Sequence, residues 1–156
     1  TYVSLIANDD VMADLNAQAE SLRTAVAGLP EERGSYAYAE GKWTIKELLS
    51  HMIDGERIFA YRILRISRGD KTPIEGFEQD DYIATSRANE RTFANLLDEF
   101  EHERKANLIL VSNIDEETAK LTGTASGKPV SVRALTYIMA GHVKHHMTIL
   151  AERYLG

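Results

Sequence analysis

The sequence predicts an all-α protein built as a four-helix bundle. Three observations lead there. Four stretches repeat apolar residues every three or four positions, capping residues stand in front of them, and the three prolines, at 30, 73 and 129, all fall between them. With 156 residues, 44% hydrophobic and 27% charged, the chain has the length for one domain and enough apolar side chain for a core. No internal repeat, low-complexity stretch or linker divides it, so residues 1–156 read as a single domain.

The first helix follows Asn8-Asp9-Asp10, a run of N-cap residues. Val11, Met12, Leu15, Ala19, Leu22, Val26 and Leu29 recur along it, and Gly28 and Pro30 stop the pattern. The second opens on a capping box, Thr44 with Glu47 three residues on, and Trp43 just ahead. Leu48, Leu49, Met52, Ile53, Phe59, Ala60, Ile63 and Ile66 form its broad apolar sector, which ends at Gly69-Asp70. A loop through Pro73 and Gly76, holding Phe77 and Tyr82, leads to the third helix. That helix is expected to begin near Thr85 or Ser86, with Phe93, Leu96, Leu97, Phe100, Leu108 and Val111 on one face. Residues 121–130 are Gly-rich and partly β-prone, a loop or a small irregular hairpin. The last helix is expected over 131–154, with Leu135, Ile138, Met139, Ile149 and Leu150 on its buried stripe. Four such helices make a bundle. The connections between helices two and three and between three and four are longer than simple up-and-down bundles use, so a crossover or a functional loop is expected.

Composition excludes several classes. The formal net charge is -6, from 18 Lys+Arg against 24 Asp+Glu, whereas nucleic-acid binders present basic surfaces. No apolar run approaches the roughly 18–20 residues of a membrane helix, and Asp9, Asp10, Asp14 and Glu20 argue against a secretory signal. With no cysteine, the chain offers no disulfide, no Cys-ligated zinc and no thiol nucleophile, which fits a cytoplasmic setting. Thr1 stands where an initiator methionine is expected, as in a trimmed start.

The histidines carry the chemistry. His142 and His146 lie one helical turn apart, about 6 Å along the axis, on the apolar face of the last helix. Two imidazoles in a bundle interior need polar partners, either protein groups or a divalent ion that serves both. His51, at the edge of the second helix's buried sector, is the candidate third ligand, and Gly55 one turn on leaves space for a pocket. Three histidines with an open fourth position match a catalytic rather than a structural divalent site. His145 points to the flank of the pair. His102 falls opposite Phe93 and reads as solvated, so Glu99-Phe100-Glu101-His102 is no di-iron motif. Glu56 has only apolar helical neighbours, so it is expected buried, either as a hydrogen bond tying two helices or as a catalytic carboxylate. Asp54, within a turn of His51 but leaning toward solvent, is a candidate to orient an imidazole or to act as a base. Trp43, Tyr61 and Tyr137 read as packing residues.

Trp43-Thr44-Ile45-Lys46-Glu47-Leu48-Leu49-Ser50-His51-Met52-Ile53-Asp54, with Gly141-His142-Val143-Lys144-His145-His146 far downstream, resembles the DinB/YfiT-like superfamily of metal-binding four-helix bundles. The resemblance covers nearly the whole chain, and the 73–82 loop is similar to the family's second-to-third-helix connection. It implies a divalent ion, zinc or nickel, held by His51, His142 and His146. It also implies thiol-dependent S-transfer with a low-molecular-weight thiol as cosubstrate, or metal-dependent hydrolysis.

Three readings follow. The first is a thiol S-transferase acting on a small-molecule substrate, its sulfur supplied by the cosubstrate. The second is a hydrolase using metal-bound water, with Asp54 or Glu56 assisting. The third is a non-catalytic homodimeric bundle with a structural metal or none, paired partly through residues 2–6. None of the three involves nucleic acid or a membrane.

Overall fold

The computed structural model describes residues 2–6 and 10–156. Its long helices are α1 (Val11–Val26), α2 (Ile45–Ser67), α4 (Phe93–Ser112) and α6 (Val132–Ile149). Two short ones, α3 (Gln79–Thr85) and α5 (Glu116–Ala119), interrupt the connections. The expected four-helix bundle is present. α2 packs on α4 and α6, and α1 packs on the same two, so α1 and α2 occupy opposite corners. The connections from α1 to α2 and from α4 to α6 thus cross a diagonal of the bundle, whereas α2 and α4 are neighbours and the long segment between them carries α3.

Each start has a local cause. Asp10 accepts from the Ala13 amide at 2.9 Å and caps α1; Asn8 and Asp9, the rest of that capping run, lie outside the described residues. The capping box of α2 is complete: the Glu47 amide donates to Thr44 Oγ1 at 3.2 Å and the Thr44 amide to Glu47 Oε2 at 2.8 Å. Ser131, where the last helix is expected to begin, caps α6 by accepting from the Ala134 amide at 3.1 Å, and residues Leu150–Leu155 carry the helix on as a π turn.

The third helix starts later than expected. Its cap is Thr92, not a residue near Thr85 or Ser86. Those two end α3 instead: the Ser86 hydroxyl donates to the Ile83 carbonyl and accepts from the Ala88 amide, and Arg87 takes a left-handed φ of 54° that no continuing helix tolerates. Residues 121–130 form a regular hairpin, β1 (Thr122–Ala125) with β2 (Lys128–Ser131). Ser126 and Gly127, with φ of 51° and 72°, turn it in the way that matches strand twist. Ile74 pairs with this hairpin, its amide donating to the Thr124 carbonyl and its carbonyl accepting from the Ser126 amide, both at 2.9 Å. Among the described residues, no helix is long and apolar enough to cross a membrane.

One buried polar network ties the four long helices together. The Arg104 guanidinium (α4) grips Glu56 (α2) with two parallel bonds, Nε to Oε2 at 2.9 Å and Nη2 to Oε1 at 2.6 Å. Its Nη1 donates to the Leu15 carbonyl and to Gln18 Oε1 in α1, at 2.8 and 2.7 Å. Gln18 Nε2 in turn donates to the Ala140 carbonyl of α6 at 2.8 Å. Asn107 donates to Glu56 Oε2 at 3.0 Å. Arg104 and Glu56 are each 1% exposed. Glu56 therefore serves as the helix tie that was one of its two expected roles. Its oxygens are committed to α4, which leaves it poorly placed for the alternative role of a base.

Candidate metal centre

Between α2 and α6 the structure brings together His51, His142 and His146, all buried. One nitrogen from each ring lies within 4.8 Å of the other two. Among the described residues, no carboxylate joins that group. The Nε2 atoms of His51 and His142 are 2.9 Å apart. Both ring nitrogens of His146 and the Nδ1 of His142 are buried without a hydrogen-bond partner. Buried imidazole nitrogens are ordinarily satisfied. Three converging rings with orphaned lone pairs are a donor set suited to a borderline divalent ion such as zinc, with fewer than four protein ligands and so an open position.

The space is built around the rings. A Cβ at Gly55 would stand 2.6 Å from Cε1 and 2.8 Å from Nδ1 of His142, so only glycine leaves that imidazole its place. Phe59 and Tyr2 meet the His142 ring edge-on, with centroids 5.3 and 5.4 Å away. The N-terminal turn that carries Tyr2 lies tightly on α6, where a Cβ at Gly141 would meet the Tyr2 carbonyl at 2.1 Å. Trp43 lies 4.7 Å from the His51 ring and 6.5 Å from His146. Its Nε1 donates to Asp80 Oδ1 at 3.1 Å, and its carbonyl accepts from the Tyr154 hydroxyl at 2.6 Å. A cavity of about 270 Å³ opens here, with Trp43, Asp80, Lys42, Tyr154 and His146 among its walls.

The remaining candidates separate. Asp54 is half-buried in a different cavity, with Arg57, Tyr82 and Arg91, and burial raises its pKa. His145 is half-buried beside Tyr2 and His146. His102 is exposed and bonded to the Asp98 carbonyl. Tyr61, expected in packing, is 52% exposed. Trp43 packs as expected, but what it packs against is the histidine cluster. Sequence reasoning missed Asp80 and Tyr2, which reach the site only through tertiary docking. It also missed Arg104, which had a visible signal: it sits one turn from both Phe100 and Leu108 on an apolar stripe.

Burial disfavours the charged form of every ring. It lowers His51 to about 4, opposed by the Asp80 carboxylate, and His146 to about 3. His142 is lowered well below its ordinary 6.5 by burial and by the neighbouring imidazoles. At neutral pH the rings are uncharged, the state that ligates. The folded-state values are depressed, so the metal-free unfolded chain takes up protons first as pH falls below about 6.5. Stability should be level above about pH 7 and fall from pH 6.5 toward 4, by up to roughly 1 kcal/mol per unit for each ring. Urea denaturation of chelator-treated protein across that range checks this, and a flat profile contradicts it.

A sequence model described as the DinB superfamily matches residues 14–150. A protein of Geobacillus thermodenitrificans (strain NG80-2) named "Putative metal-dependent hydrolase" is 30% identical over 132 residues, which span 81% of this chain and 72% of that protein. A protein of Geobacillus kaustophilus (strain HTA426) that bears the same designation is 29% identical over 135 residues, spanning 84% and 75%. The YfiT structure from Bacillus subtilis, described as a probable metal-dependent hydrolase with an unusual four-helix bundle topology, superposes with a TM-score of 0.84. It covers 92% of this chain and 83% of its own at 14% identity, a likeness of fold alone.

Proposed function

This chain belongs to the DinB superfamily, and on that premise we propose that it is a divalent-metal-dependent hydrolase whose ion is held by His51, His142 and His146. The observation that carries the reading is the convergence of three buried, neutral imidazoles with unpartnered nitrogens. The names of the two Geobacillus relatives favour hydrolysis. Bound there, the ion supplies Lewis acidity, polarising a substrate oxygen and lowering the pKa of water or of a thiol that takes the open position.

The chain's own groups do the rest. Trp43 walls the His51 ring and is itself held at both ends, by Asp80 through Nε1 and by Tyr154 through its carbonyl. Tyr2 and Phe59 close off His142. The 270 Å³ cavity beside His146 fits a small substrate and brings Asp80 to the same wall. Asp80 shares that cavity, so it is better situated than Asp54 or Glu56 to accept the proton released by an incoming nucleophile.

Thiol S-transfer, which the family resemblance implies, is the second reading, and one assay separates the two. Protein loaded with Zn²⁺ or Ni²⁺ is expected to turn over simple esters or amides without added thiol, and His51→Ala to lose at least about a hundredfold of that rate. Turnover of an epoxide or chloro-aromatic only when a low-molecular-weight thiol is added would favour the transferase instead. Absence of metal-dependent turnover under either condition would leave the non-catalytic bundle.

A further inference from the structure

The stripe of α2 that carries His51 continues through Gly55 and Ile58 to Arg62, at steps of four, three and four residues. Arg62 is 8% exposed. Its Nη2 donates to Ser126 Oγ at 2.9 Å and to the Glu75 carbonyl at 3.3 Å, while its buried Nε has no acceptor. Among the described residues, no carboxylate pairs with it, although the arginines around it are paired: Arg57 with Glu99 and Glu103, Arg65 with Asp70. Burial, opposed by no acid, lowers its pKa. A guanidinium withdrawn from water without a counter-charge is costly, so such a group ordinarily marks a place where an anion completes the site.

The surroundings are built to hold that fork in place. Ser126 sits in the tight turn of the hairpin and its amide donates to the Ile74 carbonyl, which brings Ser126 and the residue after Ile74, Glu75, to the same side of Arg62. A cavity of about 570 Å³ opens over Arg62, with Phe77, Tyr82 and Tyr61 as its aromatic walls. The Phe77 and Tyr82 rings lie 5.2 Å apart. Glu75 contributes its carbonyl, and its exposed carboxylate makes no ion pair with Arg62.

We propose that this cavity is an anion-binding subsite, in which Arg62 takes the oxyanion of a small organic acid whose flat body lies along Phe77 and Tyr82. The ligand class is an aromatic or planar carboxylate or phosphate monoester, since a planar guanidinium donates to either. Nothing in this inference requires the metal.

The test uses benzoate and phenyl phosphate as probes, with inorganic phosphate for an oxyanion without a body, and the full chain as purified. Calorimetric titration is expected to show saturable binding of at least one aromatic probe at millimolar concentration or below, and the Arg62 Nε–Hε resonance of the wild type is expected to shift in step with it. Arg62→Gln should weaken binding at least about tenfold, whereas Arg133→Gln, on a distant surface pair, and His51→Ala should leave it unchanged. If Arg62→Gln does not fold, the wild-type resonance decides. The proposal is overturned by no saturable binding, by binding that leaves the Arg62 resonance unmoved, or by binding that disappears in His51→Ala and survives Arg62→Gln. That last result would place the anion on the metal and leave the hydrolase reading intact.

Discussion

Arg104→Leu is expected to destabilise the protein by roughly 3–5 kcal/mol, the cost typical of breaking a buried ion pair by removing one partner. The loss of the attraction itself is the smaller part. With Arg104 gone, Glu56, 1% exposed, keeps a charge that only Asn107 still contacts, Gln18 Oε1 loses its donor, and the Leu15 carbonyl loses the donor it takes besides its helical one. A domain of this size is held by about 5–15 kcal/mol in all, so the variant sits close to unfolding at ordinary temperature. Glu56→Gln combined with Arg104→Leu should recover part of the loss, because the buried charge is then removed from both sides. Urea midpoints of the wild type, both single variants and the double variant give the coupling directly. A single-variant loss below about 1 kcal/mol would mean the pair does not tie the bundle as described. The network also ends on the Ala140 carbonyl, two residues before His142, so its disruption should loosen the metal site as well as the fold.

Gly55→Ala should separate folding from metal binding. Alanine is a better helix former than glycine by about 1 kcal/mol, so the substitution favours α2 itself. Its methyl group, however, takes the position 2.6 Å from Cε1 of His142, whose ring is already walled by Phe59, Tyr2 and His51. The ring has to move, and metal affinity should drop at least about tenfold to a hundredfold, the range seen when the surroundings of a ligand are disturbed. Competition titration with a zinc chelator measures the affinity, and the melting temperature of the metal-free variant reports the fold. Full affinity in Gly55→Ala would mean that His142 is not held where the site needs it.

Much of this was legible from local chemistry. Thr44 with Glu47 announced α2, Asp10 stood where a cap is required, and the apolar spacing around them set the bundle. His142 and His146 declared a common face because four residues make one turn. The start of the third helix was not legible, because Thr85, Ser86 and Thr92 are all capping residue types ahead of Phe93, and the left-handed φ at Arg87 that separates them is not written in its side chain. The hairpin needed Ser126 and Gly127 both at positive φ, and only the glycine advertises it. Asp80 and Trp43 meet because the short α3 docks beside the start of α2, a long-range event without a local signature. Glu56 stood out as a carboxylate among apolar neighbours, and Arg104 held the matching position on the third long helix; neither alone names the other.

The proposed chemistry rests on one divalent ion held by three imidazoles from α2 and α6. Elemental analysis of tag-free protein, joined to X-ray absorption at the edge of the metal found, tests it most directly. Close to one ion per chain is expected, with three nitrogen ligands at about 2.0–2.1 Å, and the ion is expected to be lost in each of His51→Ala, His142→Ala and His146→Ala. Protein that holds no ion and takes none up, or an ion retained undiminished in His51→Ala, would contradict it.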